Sequence, residues 1–250
     1  MRIWLMARIA RRLTNWKGVW RGYVEEQPIP ELHFRSGLRL SHSPGDAPVL
    51  LLLEVFADGC YRRHLREPLT GTVLDIGANI GATALDFAWR HPGLEIHCYE
   101  PNPRSCGMLR HNVLTNRLER GILIRDVAVG RGPGFMRLNV AAPSIAATAY
   151  GHSLSDGAIE VPCIGLEECV ARVTKPPVAL LKVDAEGAEA DILEGAPCEI
   201  WTQVRHVALE YHNDLCPDAD ERCLTVLRRE RFKTRRTIAE PGRGLIHAWR

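Results

Sequence analysis

Asp75, Gly77 and Asn79 stand where an apolar run, residues 73–76, gives way to a glycine-bearing turn and then to a helical pattern. Lys182, Asp184, Glu186 and Glu189 crowd a second such point, after the apolar run 178–183. Carboxylates and glycines at the carboxyl ends of strands are what an open α/β sheet uses to line a ligand crevice. Gly77 lacks a Cβ, so the backbone can turn tightly and a ligand can approach it, and Gly81 lets the next helix begin close to the sheet.

The first cluster suits a nucleoside. Glu100, followed by Pro101 and Asn102, ends the second strand and is placed to accept hydrogen bonds from a ribose diol. The dinucleotide fingerprint GxGxxG is absent, and an acid precedes the turn instead. That acid would repel a pyrophosphate but suits a cationic ligand, so S-adenosylmethionine fits the pattern better than a nicotinamide dinucleotide. Asp126, at the end of the third strand, is a candidate acceptor for the exocyclic amine of adenine, with Val127 packing against the ring. Solvation at the surface is the alternative for Asp126.

The second cluster is where chemistry is expected. Period-two alternation puts Lys182 and Asp184 on one strand face, and a lysine in an apolar strand needs a nearby carboxylate to offset its burial. A structural ion pair is the plainer reading of the same residues. The fifth strand ends in Glu210, Tyr211, His212 and Asn213. His212 is the candidate base for a substrate hydroxyl near neutral pH, alongside Lys182, Asp184 and Glu186. Methyl transfer from a sulfonium needs an in-line approach, and much of the rate can come from positioning. The histidine and acids have no tight ligand spacing, so no metal is expected.

Strand and helix patterns alternate from residue 70 onward, with strands at 73–76, 95–99, 122–129, 178–183 and 204–210. Helices are read at 81–90, 104–115, 166–173, 188–193 and 220–229, with an extended pair at 135–139 and 160–164 around a small-residue loop, 141–157. Residues 232–238 and 245–249 form a terminal antiparallel pair, so the expected architecture is α/β with a mostly parallel sheet covered on both faces. Before it come a helical arm over 1–25, a hairpin over 33–40 and a helix over 49–66. Residues 1–69 are therefore read as a cap and residues 70–250 as the cofactor-binding domain.

The 32 basic residues nearly balance 30 acidic ones, which gives no general case for nucleic acid as a partner. Eight cysteines form no CxxC pair, so reduced thiols and a cytoplasmic setting are expected. The arm carries Arg2, Arg8, Arg11, Arg12, Lys17 and Arg21 with no acid before Glu25, and its apolar residues Leu5, Ile9, Leu13, Trp16 and Trp20 recur at helical spacing. It reads as a helix docked on the domain or joining a homodimer. The other reading is a peripheral contact of residues 1–24 with anionic lipid.

Taken in order, the run from Val73 to Gly81, Tyr99 to Asn102, Asn112 and Asn116, Ala128 to Gly130, Leu181 to Glu189, Leu193 to Ala196, and Leu209 with Glu210 resemble the FkbM family of S-adenosylmethionine-dependent methyltransferases. The resemblance covers about residues 70 to 212. It implies a class I methyltransferase, Rossmann-like sheet of seven strands with a reversed last strand, and methyl transfer to an oxygen of a hydroxylated small molecule such as a polyketide, macrolide or sugar. It also implies that Asp75, Gly77 and Asn79 line the methionine end, that Glu100 holds the ribose, that Asp126 and Val127 lie near adenine, and that Lys182, Asp184 and Glu186 face the methyl group. The first seventy residues resemble the family's variable segment, which helps shape the acceptor pocket. N-methylation of a related metabolite, and a non-catalytic module that keeps the cofactor fold as a scaffold, remain the competing readings.

Overall fold

The computed structural model describes residues 2–43, 45–65, 69–139 and 158–250. The loop read at 141–157 lies outside the described residues. The chain opens with helices α1 (Arg2–Arg12) and α2 (Trp16–Val24), then the two-residue strands β1 (Leu32–His33) and β2 (Arg39–Leu40) of a small antiparallel hairpin. The single arm helix expected over 1–25 breaks at Leu13–Asn15. Leu13 pairs with Phe34 in an isolated bridge, and the Asn15 side chain donates to the carbonyl of Glu31.

The helix expected over 49–66 is also shorter and less regular. α3 (Pro48–Leu51) runs into a π-helical stretch, Leu52–Asp58, which stops at Gly59 in the left-handed conformation, φ +61°. Such a glycine is a common helix stop because it carries no Cβ penalty.

The main body alternates β3 (Thr72–Ile76), α4 (Ala82–Arg90), β4 (Glu95–Tyr99), α5 (Pro103–Thr115) and β5 (Ile122–Arg125). It continues through β6 (Ala128–Gly130), β7 (Gly134–Asn139), β8 (Ala158–Gly165), α6 (Leu166–Ala171), β9 (Val178–Val183), α7 (Glu189–Gly195), β10 (His206–His212), α8 (Ala219–Arg229), β11 (Lys233–Glu240) and β12 (Arg243–Trp249). Seven strands form one sheet in the order β11-β12-β10-β9-β3-β4-β5, and β12 alone runs antiparallel to its neighbours. This is the mostly parallel sheet with a reversed last strand that the sequence led us to expect.

The third expected strand, 122–129, is two. β5 stays in the main sheet while β6 joins β7 and β8 in a separate three-stranded sheet, β6-β8-β7. The apolar run broken by Asp126 is therefore a bend that moves the chain from one sheet to the other.

The cap shares its core with the sheet. Ile9, Leu13, Leu32 and Phe34 belong to the same buried cluster as Val73, Leu85, Phe87 and Ile96. Polar contacts fix its position as well, with Arg62 3.0 Å from Asp86 of α4 and His247 of β12 hydrogen-bonded to the Cys60 carbonyl. The most specific tie comes from α5. Asn112, fully buried, donates to the carbonyls of Ser41 and Ile80 and accepts from the Ser41 amide, while Asn116 one turn on does the same with the Arg39 backbone. Two side-chain amides thus act as a missing strand partner for β2, satisfying backbone groups that burial would otherwise leave unpaired.

All eight cysteines are free thiols, and only Cys198 is exposed. Among the described residues no helix is long and apolar enough to cross a membrane.

Replacing Asn112 with Ala removes three hydrogen bonds and strands their buried partners, so stability should fall by about 2 to 4 kcal/mol. Urea unfolding followed by circular dichroism measures this. A change within experimental error would show that the cap does not depend on this anchor.

Candidate active site

β3 and β9 lie side by side with Asp75 opposite Lys182 in the register, and both side chains are buried. Lys182 Nζ sits 3.0 Å from Asp75 Oδ1, 2.6 Å from the Gly77 carbonyl, 3.2 Å from the Ile76 carbonyl and 3.8 Å from Asp184 Oδ2. Burial works against its charge, but Asp75 first and then Asp184 more than offset that, so the ammonium is held protonated well above its usual range. Asp75 itself does not reach a cleft wall. It acts through Lys182.

The strand tips are packed too closely for a side chain at Gly77. Its φ is +72°, and a Cβ there would lie 1.8 Å from the Asp184 carbonyl oxygen. The Gly77 and Ala78 amides both donate to the Tyr99 carbonyl, which sets the turn against β4. Asn79 follows at φ +49° and donates its amide to Glu100 Oε2 at 2.8 Å, while Asn102 donates its amide to Glu100 Oε1 at 2.8 Å. Asn102 also caps α5 by accepting from the Arg104 amide. Glu100 is thereby locked in one orientation, and burial pushes its carboxyl up to about 7 against the pull of those two amides. Asn79 Oδ1 is buried without a hydrogen-bond partner.

Two clefts meet at these strand ends and share Gly77, Asn79, Asp184 and Glu186 as a common wall. One, of about 640 Å³ to its mouth, runs past Glu100 and Pro101 between Tyr99 and the small sheet's Ala128, Val129, Met136 and Leu138. The other, of about 1040 Å³, lies beneath the cap, with Leu50, Leu51, Glu54 and Tyr61 on one side and Lys182, Glu210, His212 and Arg243 on the other.

Asp126 and Val127 line neither cleft. The Asp126 side chain is 73% exposed and sits 3.6 Å from Arg110, and Val127 packs against the core around Tyr99 and Val129. The bend between β5 and β6 turns these two residues away and brings Ala128 and Val129 to the wall instead. Asp126 and Val127 therefore stand outside both clefts, beside the bend that brings Ala128 and Val129 to the wall.

His212 also differs from its expected part. It is buried, and its Nδ1 donates to Glu189 Oε1 at 2.9 Å while Nε2 lies 3.5 Å from Glu186 and 3.9 Å from Glu210. Burial alone would lower its pKa, but the Glu189 hydrogen bond and the charges of Glu189, Asp184 and Glu186 win and push it up to about 10. An imidazole ringed by carboxylates is drawn toward its cationic form, the imidazolium, which has no lone pair for a proton, and this weighs against the expected role as base. Glu189, fully buried, is itself held by the Ala185 and Gly187 amides.

The groups able to change charge near neutrality are carboxyls. Burial and then Asp184 push Glu186 up to about 8 and Glu210 up to about 7. Tyr61 places one hydroxyl between two acids, 3.1 Å from Asp184 Oδ2 and 3.3 Å from Glu210 Oε2, and its ring lies 5.4 Å from Lys182 Nζ. Glu54, at the cap side of the same cleft, has its carboxyl raised by burial and by Asp184. Neither Tyr61 nor Glu54 stood out in the sequence. Glu54 lies in the π-helical stretch and Tyr61 in the turn after its Gly59 stop.

Asp184, Glu186 and His212 each bring a ligand atom within 4.8 Å of the others, so this wall has the donor set for a divalent cation, although none was expected. A cation there would have to displace the His212 proton.

Residues 75–233 match the model of the methyltransferase FkbM domain. The chain belongs to the FkbM methyltransferase family. Among its relatives, the 31-O-demethyl-FK506 methyltransferase FkbM of Streptomyces tacrolimicus is 26% identical over 216 residues, 74% of this chain and 82% of that one. The 2-O-methyltransferase NoeI of Sinorhizobium fredii is 26% identical over 163 residues, 59% of this chain and 65% of that one. A solved methyltransferase FkbM from Methylobacillus flagellatus superposes with a TM-score of 0.54 at 14% identity, over 99% of this chain and 58% of that one, which supports the FkbM fold assignment.

His212→Ala leaves Glu189 buried without its counter-charge, so stability at pH 7 should fall by about 3 to 5 kcal/mol. The His212 pKa is raised on folding, so the stabilisation is complete below about 6.5. It is lost as pH rises through about 10. Guanidinium unfolding of both proteins from pH 6 to 10 should therefore show the gap between them closing, and a gap independent of pH would contradict the imidazolium assignment.

Proposed function

We propose that this chain transfers a methyl group from S-adenosylmethionine to a hydroxyl oxygen of a small molecule. The observation that carries the reading is the wall shared by two clefts, because methyl transfer requires donor and acceptor to meet in line at one point. The two relatives, a 31-O-demethyl-FK506 methyltransferase and a 2-O-methyltransferase, are consistent with an oxygen acceptor.

S-adenosylmethionine would supply an electrophilic methyl on a cationic sulfur. The residues of the smaller cleft fit it. Glu100 presents an oriented carboxylate for a ribose diol, and Ala128, Val129, Met136 and Leu138 offer apolar walls for the base. Asn79 Oδ1, buried and unpartnered, is a ready acceptor for the amine of the methionine end. Lys182 and Asp75 are positioning residues, since they hold the turn carbonyls of Ile76 and Gly77 in place.

On the acceptor side, Glu210 takes the hydroxyl proton. It lines the larger cleft, and its carboxyl lies near neutrality, where a general base works best. Tyr61 and His212 orient that carboxylate from opposite sides. Asp184, at the common wall, favours the sulfonium electrostatically. The cap, through Leu50, Leu51, Glu54 and Tyr61, selects the acceptor. A second reading, transfer to an amine, draws on the surplus of acids over bases in that cleft, where Glu54, Asp184, Glu186, Glu210 and Glu240 face Lys182, His212 and Arg243. Mass spectrometry of the product distinguishes them.

Calorimetry should detect S-adenosylmethionine binding, and Glu100→Ala should weaken it by about 2 kcal/mol or more, the loss of hydrogen bonds to a charged group. Unchanged affinity would remove the ribose assignment. Glu210→Gln should lower kcat by about a hundredfold or more while sparing cofactor affinity. In the wild-type protein kcat/KM should rise with pH through about 7 and level off, since the base must be ionised. A variant that keeps this inflection would assign the proton elsewhere.

A further inference from the structure

The face of α1 that the body does not cover is both apolar and basic. Leu5 and Ile9 turn inward to the core, while Ile3 and Trp4 are 80% and 62% exposed beside Arg2, Arg8 and Arg11. The Arg8 guanidinium lies 4.5 Å from the centre of the Trp4 ring, and the same residue is bonded to Asp58. The amphipathic pattern of the sequence thus accounts for only one side of this helix.

Next to it, Arg11, Arg12, Arg35 and Arg90 surround a cleft floored by Asp86, with Trp89 at its edge. Asp86 is already engaged by Arg62 and Arg90. Arg12 and Arg35 each donate to a backbone carbonyl, of Ala57 and Ala10, and a guanidinium has five N–H groups. Four guanidiniums therefore converge on a space that contains one carboxylate. Trp89 is 44% exposed and stacked by Arg90 at 5.2 Å, repeating the Trp4 and Arg8 arrangement. Tryptophan beside arginine is the pairing suited to the interface of a bilayer, where the ring lies among headgroups and the cation meets phosphate.

We propose that α1 and this basic cleft form a peripheral membrane surface that docks on anionic phospholipid, with Ile3 and Trp4 entering the interface and the Arg11, Arg12, Arg35 and Arg90 cluster taking a phosphate headgroup. The proposal does not rest on the methyltransfer reading, but it bears on it. The π-helical stretch Leu52–Asp58 gives Phe56 to the basic cleft and Glu54 and Val55 to the acceptor cleft, so one segment walls both.

Co-sedimentation of the full chain tests this, using vesicles of phosphatidylcholine alone and vesicles with about a third phosphatidylglycerol. Partitioning should be more than about tenfold stronger on the anionic vesicles at low salt, and should fall several-fold near 1 M salt, where the screening length is about 3 Å. Arg11→Glu should weaken it by more than about fivefold, since one attraction becomes a repulsion. Trp4→Ser should weaken it on the same vesicles without altering thermal unfolding. Equal partitioning on neutral vesicles, no association with either, or undiminished binding by both variants would overturn the proposal. So would binding of inorganic phosphate without vesicles, or a stable dimer in solution that shields Trp4.

Discussion

The buried pair of Lys182 and Asp75 is the constraint from which the site follows. A parallel sheet places the ends of adjacent strands at one level, and here that level holds an ammonium of β9 whose partners are Asp75 and Ile76 of β3 and Gly77 of the turn that follows β3. Such a pair costs desolvation energy, so stability alone is a poor reason to keep it. Its geometric effect is larger. Lys182 fixes the carbonyls of Ile76 and Gly77, and the Gly77 turn in turn fixes Asn79 and, through it, Glu100. Both clefts are therefore tied to one contact.

The larger cleft has two origins. Its floor belongs to the sheet, through Lys182, Asp184, Glu210 and His212, and its roof belongs to the cap, through Leu50, Glu54 and Tyr61. This division lets the roof change shape without altering the floor. It requires the roof to be held firmly, and Asn112 and Asn116 do this by pairing with the backbone of the β2 region as another strand would. Charge is balanced across the same boundary. Tyr61 places a hydroxyl between Asp184 and Glu210, and His212, held by Glu189 from behind, supplies a positive charge to acids that burial would otherwise keep protonated.

Much of this was legible in the sequence, and the failures have physical reasons. Asp75, Gly77, Asn79, Glu100 and Lys182 could be found because each sits at a strand end, where period-two patterns and glycines locate the chain closely. The bend at Asp126 and Val127 was not legible because a bend between two sheets leaves the same apolar pattern as a longer strand, and it is Ala128 and Val129 that line the smaller cleft. His212 was found as a site residue, but its charge depends on Glu189, a helix residue that reaches it across space. Tyr61 and Glu54 were missed because the π-helical turn and its Gly59 stop decide which way they face, and neither follows from apolar periodicity. The arm's inward face was read correctly as apolar, whereas its outward face carries Ile3 and Trp4, which such a pattern cannot assign.

The central claim is that two clefts joined at Gly77, Asn79, Asp184 and Glu186 hold donor and acceptor for one transfer. A crystal structure of the chain with S-adenosylhomocysteine tests it most directly. The account predicts the ribose hydroxyls on Glu100, the base among Val129, Met136 and Leu138, and the sulfur at the shared wall, open toward Tyr61 and Glu210. A nucleoside bound elsewhere, or a sulfur facing away from the cap, would contradict it.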